Sequence, residues 1–141
     1  MTTIACDGKT MTSDGLITSG DMIIQSDCQK IFRLNDGRIV GFAGNAYDWE
    51  PVVKFFNGEL KDWPKCDHNI AILVLDKSGQ CTLYDSHGKT FARPTPTAIG
   101  TGRAYAIGAM RAGASTVEAV EIASSLDTLS GGCIRSMSIF S

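Results

Sequence analysis

An Asp-Gly pair between two β-prone segments is the feature that most restricts the fold of this chain. Asp36-Gly37 separates residues 30–34 (Lys-Ile-Phe-Arg-Leu) from residues 38–43 (Arg-Ile-Val-Gly-Phe-Ala). Glycine supplies the positive φ that tight hairpin turns require, and both flanking segments carry β-branched and aromatic residues. We therefore predict a β-hairpin here, which commits this part of the chain to an antiparallel sheet.

The rest of the chain alternates between short strands and helices. Apolar residues at helical spacing predict a helix over residues 47–56, and Pro51 is tolerated if it lies in the first turn. Further strands are predicted at 2–6, 10–12, 70–75, 81–84 and 133–140, and further helices at 105–111 and 117–126. This order indicates an α+β fold with antiparallel sheets, and we expect residues 1–141 to form a single domain.

Composition excludes several classes of function. The chain is 43% hydrophobic and 20% charged, with a formal net charge of −2 and no run of like charge. A basic nucleic-acid footprint and a polybasic membrane patch are both missing, so we expect neither nucleic acid nor a membrane as a partner.

The N-terminus lacks the features of a signal peptide. The five cysteines are scattered and are interpreted as reduced core thiols, which favours a cytoplasmic location.

Most motifs in the chain predict little chemistry when taken singly. Cys66-Asp67-His68 has no second pair of metal ligands at a useful spacing and is interpreted as a solvated loop. Gly100-Thr101-Gly102 could hold an anion at a helix start, although a tight strand-to-helix turn explains it better. His87 has no obvious catalytic partner. We therefore expect no metal and no cofactor.

The most informative residue is Thr2. Removal of Met1 before a small residue would leave a threonine whose free α-amine lies beside its own hydroxyl. A hydroxyl is a poor nucleophile without a base, and an α-amine with a pKa near ~7.7–8.0 can act as that base without histidine. Because many proteins have threonine at this position, the residue is informative only together with the rest of the chain.

Six blocks of the chain together resemble one family. Met-Thr-Thr-Ile at residues 1–4, Ser-Asp-Gly at 13–15, Lys-Ile-Phe-Arg-Leu at 30–34 and Val-Gly-Phe-Ala-Gly-Asn-Ala at 40–46 occur in that order. The segment Gly-Thr-Gly-Arg-Ala-Tyr-Ala at 100–106 comes next, and Asp-Thr-Leu-Ser-Gly-Gly stands at 127–132. These segments are similar to those of proteasome β-subunits and HslV peptidases. The ordered set is far more specific than any single block.

The resemblance implies a fold and an activity. The fold would be the four-layer αββα sandwich of antiparallel sheets found in N-terminal-nucleophile (Ntn) hydrolases, with a reduced helix layer. The activity would be peptide-bond hydrolysis through an acyl-enzyme on Thr2 after Met1 is removed. Matching positions assign the catalytic set as Thr2, Asp14, Lys30, Gly44, Thr101, Asp127 and Ser130. They assign an apolar substrate pocket to Ile17, Cys28, Phe32, Phe42 and Ala46.

Each catalytic assignment has a chemical role in the implied mechanism. Lys30, kept charged by Asp14, would stabilise the ionised hydroxyl of Thr2. The backbone N–H of Gly44 would bind the oxyanion. Three further residues, Thr101, Asp127 and Ser130, would orient the amine and a water.

Two departures from the family pattern leave an alternative open. Thr101 replaces a serine but keeps the hydroxyl, and residues 46–68 have room for one helix where relatives have two. The missing helix motivates a second hypothesis, a catalytically inactive structural or scaffold subunit, which retention of Met1 would also favour. An amidase that acts on a small molecule through the same chemistry is the third hypothesis. In either case we expect a homo-oligomer, closed as a ring or open as a spiral. For the peptidase we expect peptide or unfolded-protein substrates and consider an unfolding ATPase as a partner.

Overall fold

The computed structural model describes residues 2–139 and contains eleven strands and three α-helices. The strands are β1 Ile4–Cys6, β2 Thr10–Ser13, β3 Ile17–Ser19, β4 Met22–Gln25, β5 Ile31–Arg33, β6 Ile39–Gly44, β7 Ile70–Leu75, β8 Cys81–Tyr84, β9 Thr90–Arg93, β10 Thr97–Ile99 and β11 Arg135–Ser138. The helices are α1 Trp49–Phe56, α2 Arg103–Arg111 and α3 Thr116–Leu126, and a 3₁₀ turn at Ala46–Asp48 precedes α1.

Two antiparallel sheets form the centre of the fold. One sheet has the order β10-β1-β2-β11, the other has the order β5-β6-β7-β8-β9, and β3 and β4 form a separate hairpin. The hairpin predicted from Asp36-Gly37 is present, with Ile31 opposite Gly41 and Arg33 opposite Ile39. The second predicted hairpin is also present as β7 and β8.

Side chains alternate between the two faces of each sheet, so both faces are packed. The interior therefore has three packed interfaces, one between the sheets and one between each sheet and its helices. Ile4 and Met11 of the first sheet pack against Ile39 and Leu73 of the second, which joins the two sheets face to face. The opposite face of the first sheet is covered by α2 and α3, and the opposite face of the second sheet is covered by α1. The predicted αββα arrangement of antiparallel sheets is therefore confirmed.

A single helix and an aromatic cluster cover the outer face of the second sheet. Trp49 and Val52 of α1 are buried on that face, and Phe56 packs beside them. Trp63, from the loop after α1, stacks on Tyr84 with ring centroids 5.8 Å apart, and its indole N–H donates to a backbone carbonyl. The loop after α1 therefore completes the cover of this face.

The loop around His68 is exposed, as expected from the sequence, and it is also anchored to the start of α1. The buried carboxylate of Asp48 accepts hydrogen bonds from the backbone N–H groups of Asp67 and His68. The imidazole Nδ1 of His68 lies 3.0 Å from the same carboxylate. Asp48 therefore joins the start of α1 to the segment that leads into β7.

Four strands were not predicted, and the strands predicted over residues 2–6, 30–34 and 133–140 are shorter than expected. The missed strands are β3, β4, β9 and β10; β4 is exposed along its whole length and β9 along most of it, so neither shows the alternation of a half-buried strand. The last strand was predicted over residues 133–140 and spans Arg135–Ser138. Phe140 lies outside the described residues.

The cysteines only partly match the core-thiol interpretation. All five are free; Cys6, Cys28 and Cys81 are buried, whereas Cys66 is half-buried and Cys133 is exposed. The Sγ atoms of Cys6 and Cys81 lie 2.8 Å apart and join the two sheets. This contact and burial raise the pKa of the Cys6 thiol far above its usual value.

None of the helices within residues 2–139 is long and apolar enough to cross a membrane.

The sheets approach most closely where Gly41 of β6 faces the first sheet. A Cβ at Gly41 would lie 2.9 Å from the Met11 sulfur and 3.0 Å from two Ile4 carbons. Gly41→Ala should therefore destabilise the fold by about 1–3 kcal/mol, because a packed core absorbs an extra methyl poorly. Gly108→Ala on exposed α2 is the matched control, since no atom lies within 4 Å of the added Cβ.

The control substitution should instead stabilise the helix by roughly 0.5–1 kcal/mol. Urea unfolding of both variants measures the difference. Equal stabilities for the two variants would contradict the close sheet packing at Gly41.

Candidate active site

A buried ion pair lies beside the hydroxyl of Thr2. The ammonium Nζ of Lys30 is 2.9 Å from Asp14 Oδ1 and 3.1 Å from Thr2 Oγ1, and it donates to the carbonyl oxygen of Leu16 at 2.7 Å. Lys30 is 1% exposed and Asp14 is fully buried. Since the carboxylate and the carbonyl accept two of the ammonium protons, the third is directed at Thr2 Oγ1.

The carboxylate of Asp14 is held by backbone donors as well as by Lys30. Asp14 Oδ1 accepts from the N–H of Thr3 at 3.1 Å, and Oδ2 accepts from the N–H of Gly131 at 3.0 Å. Burial lowers the pKa of Lys30 below its ordinary value, while the charge and hydrogen bond of Asp14 oppose that effect. Asp14 therefore stabilises a cation that its surroundings disfavour.

A second network connects the nitrogen of Thr2 to Asp127. The Thr2 nitrogen donates to Thr101 Oγ1 at 3.3 Å, and Thr101 Oγ1 donates to Asp127 Oδ2 at 2.6 Å. Ser130 Oγ donates to the same carboxylate oxygen at 2.6 Å. Because its proton is used there, Ser130 Oγ accepts from the hydroxyl of Thr3 at 2.7 Å.

These hydrogen bonds keep Asp127 ionised. Partial burial alone would raise the pKa of Asp127, but hydrogen bonds from the hydroxyls of Ser130 and Thr101 outweigh it and lower that pKa below its usual value. The negative charge therefore lies one hydroxyl away from the Thr2 nitrogen.

Glycines allow the backbone around Thr2 to pack closely. Gly100 has a φ of +97°, and a Cβ there would overlap the carbonyl oxygen of Thr2. The N–H of Gly102 donates to the same carbonyl at 3.2 Å. Taken singly, this segment was interpreted as a tight turn; the structure shows that its two glycines also fix the position of Thr2.

Two cavities meet at Thr2 and Gly44. The first, of about 580 Å³, is enclosed by the 3₁₀ turn, the start of α1 and the β3–β4 hairpin; beside Thr2 and Gly44 its lining comprises Ile17, Thr18, Ser19, Ile24, Lys30, Asn45, Ala46, Tyr47 and Trp49. The second, of about 400 Å³, lies between the start of β7 and the start of α2; beside Thr2 and Gly44 its lining comprises Ala43, Asn69, Ile70, Ala71, Gly100, Thr101 and Arg103.

The predicted substrate-binding residues divide into two groups. Ile17 and Ala46 line the first cavity, as expected. Phe42, Phe32 and Cys28 do not line either cavity among residues 2–139. They belong to the core beneath α1, because alternation along β6 directs Phe42 onto Trp49, with ring centroids 5.5 Å apart.

The structure thus brings all seven predicted catalytic positions together around Thr2. Lys30 and its partner Asp14 lie at the hydroxyl of Thr2. Thr101 lies at the nitrogen of Thr2 and is hydrogen-bonded to Asp127, which also accepts from Ser130. Gly44 borders both cavities together with Thr2. The predicted removal of Met1 lies outside the described residues. Sequence analysis missed the contributions of Leu16, Thr3 and Gly131 because backbone groups and a core hydroxyl leave no motif of their own.

Comparisons with known proteins identify the same class. The family model "Proteasome subunit" matches residues 2–74. The chain is 33% identical over 121 residues to "ATP-dependent protease subunit HslV" of Treponema denticola, covering 71% of this chain and 68% of the relative. The protein of that name from Pseudothermotoga lettingae is 28% identical over 130 residues, covering 77% of this chain and 74% of the relative.

Solved structures agree at the level of the fold. HslV from Trypanosoma brucei aligns with a TM-score of 0.68 at 22% identity, covering 96% of this chain and 97% of that one. The structure "Thiobacillus denitrificans BPH" aligns with a TM-score of 0.71 at 19% identity, covering 98% and 97% respectively.

The chain has two facing antiparallel sheets between helix layers, and Thr2 is buried just before the first strand. These features define a protein of the Ntn-hydrolase fold. Within that class, the chain belongs to the proteasome subunit family. The family resemblance inferred from the sequence is therefore confirmed.

Loss of the Asp14 charge should strongly destabilise the fold. Asp14→Asn leaves the Lys30 ammonium buried without its counter-charge, so we expect a loss of about 3–5 kcal/mol of unfolding free energy. Asp36→Asn is the matched control, because Asp36 pairs with Arg38 at 2.8 Å but is exposed. That change should cost about 0–1 kcal/mol.

A double variant separates the charge effect from a general loss of packing. Asp14→Asn with Lys30→Met removes both charges and should be more stable than Asp14→Asn alone. Denaturant titrations of the wild type and the variants measure the coupling. Simple additivity of the two single changes would contradict the buried ion pair.

Proposed function

We propose that this protein is a threonine peptidase whose nucleophile is the hydroxyl of Thr2, with the α-amine of Thr2 as its base once Met1 is removed. One observation carries the proposal: a buried ammonium, Lys30, lies 3.1 Å from Thr2 Oγ1 and is paired with buried Asp14. A structural subunit has no need for a cation that is costly to bury and is aimed at a hydroxyl.

The first step of the proposed reaction is attack on a peptide carbonyl. The Thr2 amine takes the hydroxyl proton, Oγ1 bonds to the carbonyl carbon, and the Lys30 ammonium stabilises the charge that develops on Oγ1. The N–H of Gly44 is the proposed donor to the oxyanion, a contact worth about 3–4 kcal/mol of barrier. Gly44 suits this role because it borders both cavities together with Thr2, and its φ of +121° is a conformation that favours glycine.

The second step releases the products. The protonated amine gives its proton to the leaving nitrogen as the C–N bond breaks, and the acyl group remains on Thr2 as an ester. Water, deprotonated by the same amine, then hydrolyses the ester. Thr101 and ionised Asp127 orient the amine through both steps, and Ser130 fixes the carboxylate.

The substrates that fit best carry an apolar side chain before the cleaved bond. Ile17, Ile24, Ala46 and Trp49 give the first cavity a mainly apolar lining next to Thr2. The relatives are named ATP-dependent protease subunits. By that likeness we propose unfolded polypeptides as the substrates and an unfolding ATPase as a partner.

A reactive peptide tests the nucleophile. A peptide epoxyketone should label Thr2 alone, because it reacts with a hydroxyl and an amine on one residue. Thr2→Ala should abolish labelling and turnover, whereas Thr2→Ser should retain both at a reduced rate. Peptide mapping by mass spectrometry locates the label, and the intact mass shows whether Met1 has been removed.

A matched control removes only the free amine. A glutamate inserted between Met1 and Thr2 keeps the initiator methionine and the hydroxyl, and this variant should be neither labelled nor active. Labelling of a cysteine, or no labelling of protein that lacks Met1, would sink the peptidase proposal in favour of the structural subunit.

Assembly is proposed from the exposed apolar surface beside the first cavity. Met22, Ile23 and Ile24 of β4 are 63%, 66% and 59% exposed, and Tyr47 in the 3₁₀ turn is 87% exposed. Apolar groups clustered in this way are typical of contact surfaces between subunits. We propose a homo-oligomer in which this surface and the adjoining α1 helix lie at or near an interface.

Light scattering tests the assembly. The wild type should be a homo-oligomer at micromolar concentration, and Ile23→Asp should shift it towards smaller species by placing a charge in the contact. Ile122→Asp, on α3 at the opposite side of the sandwich, is the matched control and should assemble normally. A monomeric wild type would contradict the proposal.

A further inference from the structure

We propose that the second cavity is a binding site for a carboxylate on the leaving-group side of the substrate, and that Arg103 is the residue that binds it. This inference rests on the proposed peptidase activity and adds to it a preference for a negative charge on the segment that departs with the leaving amine.

The position of the Thr2 nitrogen indicates which cavity receives the leaving group. In the proposed reaction that nitrogen carries the proton that passes to the departing amine, so the amine must leave on its side. The nitrogen lies 3.3 Å from Thr101 Oγ1, and Thr101 lines the second cavity, not the first. The apolar first cavity then holds the acyl side, and the leaving group enters the second.

The charge of the second cavity favours an anion. Arg103 is the only side chain with a formal charge among the residues that line it. Arg103 forms no ion pair with any carboxylate of residues 2–139. A carboxylate in the cavity would therefore meet a cation that the fold leaves unneutralised, with no repelling carboxylate in the lining.

The guanidinium of Arg103 is already positioned. Its Nη1 donates to the carbonyl oxygen of Gly100 at 2.9 Å, which holds the group against the turn that precedes α2. The remaining N–H donors of its planar fork suit the two oxygens of a carboxylate. Asn69, on the β7 side of the cavity, adds an exposed amide that can donate as well.

Two kinds of peptide present a carboxylate at this distance from the cleaved bond. One has aspartate or glutamate directly after the bond, and the other ends shortly after the bond with its own C-terminal carboxylate. Both share the chemistry that Arg103 recognises, and the experiment distinguishes them.

Matched peptide pairs test the inference on protein that lacks Met1. The first pair differs only in glutamate or glutamine after the cleaved bond, and the second only in a free or amidated C-terminus on a short leaving segment. The carboxylate member of at least one pair should be cleaved with a kcat/KM about three- to tenfold higher, as expected for a charge-assisted contact at a partly exposed site. The pair that responds identifies the source of the carboxylate.

Arginine variants assign the preference to one side chain. Arg103→Gln should reduce the carboxylate-to-amide ratio to about one, and Arg103→Lys should retain part of it. Arg111→Gln, at the other end of the same helix and outside both cavities, should keep the full ratio. Added salt should lower the ratio in the wild type but not in Arg103→Gln, because salt screens a charge contact at the surface.

Epoxyketone labelling of the same samples separates the two hypotheses. The reagent occupies only the acyl side, so it reports on the peptidase without the second cavity. Labelled, active protein with a ratio of one, or a ratio unchanged in Arg103→Gln, would overturn the carboxylate site and leave the peptidase standing. Protein that lacks Met1 and is neither labelled nor active would overturn both.

Discussion

The ion pair between Lys30 and Asp14 is the interaction on which the rest of the site depends. Burying an ammonium is unfavourable unless every N–H has an acceptor and a counter-charge is near. Asp14, Leu16 and Thr2 supply those acceptors, so the segments that carry Thr2, residues 14–16 and Lys30 must meet at one point. The requirement fixes the ends of the first sheet relative to the start of β5, so the geometry of the site and the fold are set by the same contacts.

The surrounding backbone explains how these segments can meet. The N–H of Gly15 donates to the carbonyl of Gly131, and the N–H of Cys133 donates to the carbonyl of Ser26. A Cβ at Gly132 would overlap that Ser26 carbonyl, and its φ is +71°, so glycine is required there. The loops behind Thr2 are therefore joined by main-chain hydrogen bonds at distances that exclude side chains.

Much of this architecture could be predicted from the sequence, and the failures have physical causes. The Asp36-Gly37 hairpin was predictable because its turn chemistry is local, and the family match placed Lys30 and Asp14 at equivalent positions. The lining of the first cavity was less predictable, because whether Phe42 faces α1 or the cavity depends on strand register. Arg103 was overlooked because nothing in its local sequence shows that β7 lies opposite it across a cavity.

The distribution of aromatic rings gives the molecule an optical asymmetry. Both tryptophans of the chain, Trp49 and Trp63, lie in the layer formed by α1 and the loop after it, each stacked on another ring. The layer formed by α2 and α3 contains none. Intrinsic tryptophan emission therefore originates from one side of the sandwich, beside the first cavity, where Trp49 forms part of the wall. Occupation of that cavity changes the surroundings of a natural chromophore, whereas neither tryptophan lines the second cavity.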